Sequence, residues 1–197
     1  IDYISDKSLP YNLNVCAQNC HHSAQGAFTG EVSANILSSL GINYVIIGHS
    51  ERRKYFNESN DVLVQKLQIC LKNNLFPIFC FGESKEERKN QNFLNVIEKQ
   101  LEIVKKYNKF FQNIILAYEP IWSIGTGKTP SLEEIEEVHL FVKNILPEFK
   151  ILYGGSLRSS NAKNIFSLSS VDGGLIGGAS LNSNEFVSII KTANENS

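Results

Sequence analysis

The chain has 197 residues, 42% apolar and 20% charged, and its 19 basic against 20 acidic side chains leave a net charge of -1. The length suits one domain. The apolar share supports a packed core and excludes a disordered chain, and the balanced charge argues against a general nucleic-acid binder. No apolar run approaches the ~18 residues that a membrane span needs, and no secretory signal stands before the first apolar run. The sequence contains no Met and opens on Ile1, so further residues are expected ahead of it. The cysteines, Cys16, Cys20, Cys70 and Cys80, are too sparse for a disulfide scaffold. Cys16, Cys70 and Cys80 fall in apolar runs and read as small buried hydrophobes, which fits a reducing cytoplasm. Cys20 adjoins His21 and His22, but no second pair at finger-like spacing follows, so no metal is expected.

Short, continuous apolar runs alternate with helical patterns along the chain. Residues 14–18 form the first run and end in Gln18-Asn19, after which a polar loop carries Gly26 and Gly30. Residues 44–48 lead into His49-Ser50-Glu51. Ser59 then caps a helix whose Leu63, Leu67, Cys70 and Leu71 share a face. Residues 76–81 end in Gly82-Glu83, and Phe93, Ile97, Leu101 and Val104 repeat the i, i+4 rhythm. Residues 114–119 close on Glu119-Pro120. Pro130 and Ser131 open the next helix, Glu134 completes a capping box, and Ile135, Val138, Val142 and Ile145 form the apolar stripe. Residues 151–154 lead to Gly154-Gly155-Ser156, residues 174–178 end in Gly177-Gly178, and a last helix carries Phe186, Val187, Ile189 and Ile190.

Runs that are apolar throughout, rather than alternating, are expected of parallel strands covered on both faces. A series of such βα units closes as a barrel or opens as a doubly wound sheet. An open sheet concentrates its polar site at one switch point, whereas a barrel gathers the carboxyl end of every strand around one mouth. Here nearly every run ends in reactive or glycine-rich residues, which favours the barrel. Six runs are two short of a (β/α)8 barrel of ~250 residues. The expected fold is therefore α/β: a (β/α)8 barrel incomplete at its N-terminus, with about six of eight units present and residues 1–197 forming a single domain.

Seven segments, in this order, resemble the triosephosphate isomerase family: Ala17-Gln18-Asn19, Gly26-Ala27-Phe28-Thr29-Gly30-Glu31, Ile47-Gly48-His49-Ser50-Glu51-Arg52-Arg53, Ala117-Tyr118-Glu119-Pro120-Ile121-Trp122, Ile124-Gly125-Thr126-Gly127-Lys128-Thr129, Tyr153-Gly154-Gly155-Ser156 and Gly177-Gly178-Ala179-Ser180-Leu181. The resemblance covers the whole chain. It implies a TIM barrel that interconverts dihydroxyacetone phosphate and D-glyceraldehyde 3-phosphate in glycolysis and gluconeogenesis. It also implies a cytoplasmic homodimer acting on a small phosphorylated triose, with no cofactor, no nucleic acid and no membrane.

That reaction moves a proton between adjacent carbons through an enediolate. It needs a base at carbon, a donor to the developing oxyanion, a phosphate grip and cover from water. Glu119 ends a strongly apolar strand before Pro120, where burial would raise its pKa toward the working range. The residues alone leave open whether it is a base or a solvated carboxylate; the resemblance makes it the catalytic base. His49 precedes a short helix whose N-terminus disfavours the imidazolium. A lone histidine is more often structural, and the resemblance makes His49 the neutral electrophile, as is established for this family. Glu51 is either part of the catalytic site or an ion-pair partner of Arg52 or Arg53. His21, His22 and His139 read as structural.

Gly125, Ser156, Gly177 and Gly178 stand at glycine-rich turns, where unobstructed N–H groups can meet a phosphate dianion. The resemblance makes these four the phosphate-binding residues. Residues 125–129 look superficially like a nucleotide P-loop, but that pattern needs glycine where Trp122 stands. Segment 120–130, stiff at Pro120 and Trp122 and glycine-rich at its centre, instead resembles the family's mobile lid. Such a lid excludes water and holds the enediolate against phosphate elimination; Lys128 within it reads as structural. Residues 20–31 read by themselves as a surface loop, whereas the resemblance implies that the loop inserts into a second subunit with Thr29 as the dimer contact.

One part of the family's site has no counterpart here: an Asn-x-Lys at the end of the first strand, whose lysine supplies positive charge. About 45 preceding residues, holding that segment and two strands, are expected in the parent protein. The 197 residues by themselves are expected to fold poorly, with unpaired strand edges, and to be inactive. Two rival readings remain. An aldolase-type barrel needs a Schiff-base lysine or a metal cluster that the strand ends do not offer. A non-catalytic or degraded phosphate-binding barrel sits poorly with both Glu119 and His49 beside an intact lid.

Overall fold

A computed structural model describes residues 13–126 and 128–195. Gly127, within the expected lid, and the expected preceding strands lie outside the described residues. Six strands are described: β1 (Cys16–Ala17), β2 (Tyr44–Ile47), β3 (Phe76–Phe81), β4 (Ile115–Tyr118), β5 (Lys150–Tyr153) and β6 (Gly173–Gly174). They are parallel, with helices between them, and hydrogen-bond in chain order as one sheet. Sequential order is what the expected (β/α)8 architecture requires; a doubly wound sheet reverses its order at a switch point. No helix among the described residues is long and apolar enough to cross a membrane.

The chain forms two compact units, one from Ile1–Cys80 with Lys109–Ile115, the other from Phe81–Asn108 with Leu116–Ser197. In the first, β1 pairs with β2 at Cys16–Tyr44 and Ala17–Val45, and β2 pairs with β3 from Tyr44–Phe76 to Ile47–Phe79. The helices are α1 (Ala34–Ser39), α2 (Ser50–Tyr55) and α3 (Asn60–Lys72). Ser59 caps α3 as expected, its hydroxyl accepting the Val62 N–H at 3.3 Å. Leu63, Leu67 and Cys70 of α3 are buried with Leu37, Val45, Ile47 and Phe79. β1 is shorter than the expected run 14–18. Asn19 leaves the ladder and turns its side chain to α3, where it accepts from Lys66 Nζ at 2.6 Å.

The second unit contains α4 (Lys85–Lys89), α5 (Phe93–Lys105), α6 (Leu132–Ile145), α7 (Ser159–Phe166) and α8 (Ser183–Glu195). Capping boxes start α4 at Ser84 and α6 at Ser131, the second as expected. Phe93, Ile97, Leu101 and Val104 on α5 and Ile135, Val138 and Val142 on α6 are buried. The ladder runs through Glu119 N–H to Phe81 O at 2.7 Å, Gly154 N–H to Tyr118 O at 2.7 Å and Leu175 N–H to Tyr153 O at 2.9 Å. β6 ends well before the expected residue 178. Beyond it a 3-10 turn spans Gly178–Leu181, where the Ser180 N–H and hydroxyl both close on Gly177 O, at 2.9 and 2.7 Å. On α8 only Ile189 is buried.

Candidate active site

Gly48 ends β2 in a left-handed turn with φ +71, which turns the chain into His49, the N-cap of α2. His49 Nδ1 accepts the Glu51 N–H at 3.3 Å. A ring nitrogen that accepts carries no proton, so this bond assigns the hydrogen of the neutral ring to Nε2. The Glu51 carboxylate comes within 3.9 Å of the same nitrogen, but it is exposed and solvent screens its pull. Of the two readings for Glu51, its contact goes to His49. Arg52 is taken by Glu58, and Arg53 donates to Gly48 O at 2.8 Å, Cys80 O at 3.0 Å and Asn60 Oδ1 at 3.2 Å.

In the same unit Lys66 is buried against Glu58, with Nζ to Oε1 at 2.6 Å. Burial works to raise the Glu58 pKa, but hydrogen bonds from Lys66 and Arg52 outweigh it and hold the carboxyl below its usual range. The loop 20–31 is fixed at its base by His21 N–H to Val32 O at 2.8 Å and by the His21 ring against Phe28 at 4.1 Å. It borders a cavity of about 320 Å³ lined by His21, Gln25, Phe28, Glu31 and Ile36. Thr29 is exposed on this loop. The four cysteines are free thiols. Cys20 and Cys70 meet at 3.5 Å between sulfurs, while Cys16 is only half-buried, its thiol pushed up to about 11 by burial.

In the second unit Glu119 follows β4 and is 2% exposed. The strand end is admitted by a glycine: a Cβ at residue 82 would lie 1.8 Å from the Glu119 carbonyl oxygen. Glu83, next in sequence, is fully buried. Its Oε1 accepts from the Trp122 indole at 2.9 Å and from the Tyr118 hydroxyl at 3.1 Å, and its carbonyl accepts the Ile121 N–H at 3.0 Å. Burial pushes its pKa up by more than these donors and Arg88 pull it down. The segment that opens the expected lid is therefore moored to one buried carboxylate.

Gly125 has φ +68, a conformation that favours glycine. A Cβ at Gly125, Gly177 or Gly178 would meet nothing within 4 Å, so each has open space beside its backbone. Ser156 is placed differently: its N–H donates to the buried Ser123 hydroxyl at 3.2 Å. His139 is buried in the core with Nδ1 3.1 Å from Ser170 O, and burial pushes its pKa down to about 4. Among the described residues no group of three His, Cys, Asp or Glu side chains is placed to hold a metal ion.

The sequence marks Glu83 only as the polar end of a strand, and it does not reveal the Lys66–Glu58–Arg52 group or Ser123. A lysine between Leu63 and Leu67 on an otherwise apolar face was a usable signal for that group.

These features define a class: an α/β enzyme with sequentially ordered parallel strands, whose polar residues stand at the strands' carboxyl ends, the active-site end of (β/α)8 barrels. A family model described as triosephosphate isomerase matches residues 2–193. The chain is 45% identical over 190 residues to the triosephosphate isomerase of Flavobacterium psychrophilum, covering 91% of this chain and 76% of that protein. It is 46% identical over 192 residues to that of Alkaliphilus oremlandii, covering 91% and 77%. With that of Phocaeicola vulgatus it shares 46% over 197 residues, covering 95% and 77%. The chain belongs to the triosephosphate isomerase family, a family of isomerase enzymes.

Proposed function

We propose that the chain interconverts dihydroxyacetone phosphate and D-glyceraldehyde 3-phosphate, with Glu119 as the base at carbon and His49 as the hydrogen-bond donor. Glu119 takes the proton beside the carbonyl, and the electron pair moves onto the carbonyl oxygen. His49 donates to that oxygen from Nε2 and stabilises the enediolate. The Glu119 carboxyl then returns the proton to the carbon that bore the carbonyl, while the hydroxyl proton of the first carbon passes to the former carbonyl oxygen by way of His49 Nε2. Two protons and one double bond change place and no electrons are gained or lost, so the step needs no redox cofactor. Glu51 acts through His49: its backbone N–H holds Nδ1 as an acceptor and so keeps the ring hydrogen on Nε2. The N–H groups of Gly125, Ser156, Gly177 and Gly178 hold the phosphate, and segment 120–130 covers it.

The reading extends to a cytoplasmic glycolytic and gluconeogenic enzyme, one domain per chain, working as a homodimer through Thr29 and its loop. Phe28, Val32 and Ile36 support the dimer: they are 45%, 39% and 49% exposed around that loop, apolar area that a second copy can cover. The observation that carries the catalytic reading is a carboxylate at residue 119 that is 2% exposed at the carboxyl end of a strand. In the full-length protein, Glu119→Gln is expected to lower kcat by about 10³-fold or more with an unchanged circular dichroism spectrum. Turnover near the wild-type rate overturns the assignment.

A further inference from the structure

Ser123 is fully buried between the half-buried Trp122 and Ile124. Its backbone is fixed: its N–H donates to Pro120 O at 2.8 Å, and its carbonyl accepts from Thr126 Oγ1 at 3.1 Å. Its hydroxyl oxygen accepts the Ser156 N–H, one of the four amides assigned above to the phosphate, and the other three have open space beside them. We propose that the Ser123 hydroxyl is an internal substitute for the substrate phosphate, holding the Ser156 amide while the site is empty and giving it up when the phosphate arrives. The inference rests on the isomerase reading and adds a residue that sets its affinity for the phosphate.

A donor in a sheltered site is costly to leave without an acceptor, and Ser123 spares the empty site that cost. A phosphate oxygen carries charge and makes the stronger hydrogen bond, so the exchange runs toward the bound state. Only the difference between the two bonds then counts toward binding, and the amide contributes less affinity than the other three. The displaced hydroxyl also has somewhere to turn. The Tyr153 hydroxyl is buried without a hydrogen-bond partner. Burial pushes its pKa up to about 12, and the neighbouring Ser123 side chain works against that rise.

The test is Ser123→Ala in the full-length protein, assayed with the triose phosphate, with inorganic phosphate as inhibitor, and with unphosphorylated D-glyceraldehyde. With the competitor gone, KM for the triose phosphate and the inhibition constant of phosphate are both expected to fall about 3- to 10-fold. The kcat/KM for D-glyceraldehyde should stay at the wild-type value, because no phosphate claims the amide. Ser123→Cys, with its weaker acceptor, should fall between. Unchanged or raised constants for both phosphate ligands, or an equal change for D-glyceraldehyde, overturn the substitute while leaving the isomerase reading in place. A wild-type protein that neither turns over the triose phosphate nor binds phosphate overturns that reading, and this inference with it.

Discussion

Glu58 in the first unit and Glu83 in the second are both buried carboxylates, 9% and 0% exposed, and each has one oxygen without a partner. Their acidities nevertheless move in opposite directions. Glu58 is gripped by two cations, Lys66 at 2.6 Å and Arg52, which outweigh its burial. Glu83 has two neutral donors, and its cation, Arg88, stands at 3.6 Å and is shared with Glu134 and Glu137. Burial wins there, and the pKa rises. What separates the two is the count of cations in hydrogen-bond range, two against none, together with the deeper burial of Glu83. The first arrangement suits a permanent strut. The second holds the start of the proposed lid by neutral bonds that can be exchanged.

The largest test of that contrast removes the cation. Lys66→Met leaves Glu58 buried beside Arg52 only, and breaking a buried pair typically costs about 3–5 kcal/mol. Glu83→Gln keeps an acceptor for Trp122 and Tyr118 and should change stability by no more than about 1 kcal/mol. Urea unfolding at neutral pH measures both. If the two variants lose similar amounts, the two carboxylates are not of different kinds.

Acidity should separate them next, with opposite signs. The folded pKa of Glu58 is depressed, so its contribution is present above its ordinary value of 4.5 and is lost as pH falls through the lower folded value. The folded pKa of Glu83 is raised, so its contribution is complete below 4.5 and is lost as pH rises through the folded value. His139 overlaps the second window. Its folded pKa of about 4 lies below the ordinary 6.5, so stability falls as pH drops between them, by roughly 3 kcal/mol in total. Unfolding free energies should show this acid loss in wild type and not in His139→Gln. In that background, Glu83→Gln should gain on its parent as pH rises above 4.5. A parallel pH trace for parent and variant would remove the distinction.

The contrast also marks where sequence reading stops. The alternation of apolar runs with capped helices gave the six strands and the starts of α3 and α6, because caps and periodicity are local. Strand ends were less legible. β1 and β6 are shorter than their apolar runs: past them Asn19 reaches Lys66 and Ser180 closes on Gly177, contacts that an apolar run does not encode. Glu119 and His49 were legible as the polar ends of strands. Glu83 is legible in the same way, but its buried state is not, and neither is that of Glu58, since these depend on Tyr118 and Trp122 in one case and on Lys66 in the other, 35, 39 and 8 residues away.

The smallest effect is the most specific to the mooring of the lid segment. Trp122→Phe deletes the indole donor and leaves Tyr118 and, from the backbone, Ile121 N–H to Glu83 O. The indole bond works to lower the Glu83 pKa, second only to burial among its causes. Its loss should therefore raise that pKa further and move the Glu83 part of the pH–stability trace to higher pH. The variant should also lose about 1 kcal/mol or less at neutral pH, the usual contribution of one hydrogen bond. A stability loss with an unmoved trace would mean that Trp122 holds the segment by packing alone. A moved trace means that the neutral donors, rather than Arg88, set the state of this carboxylate.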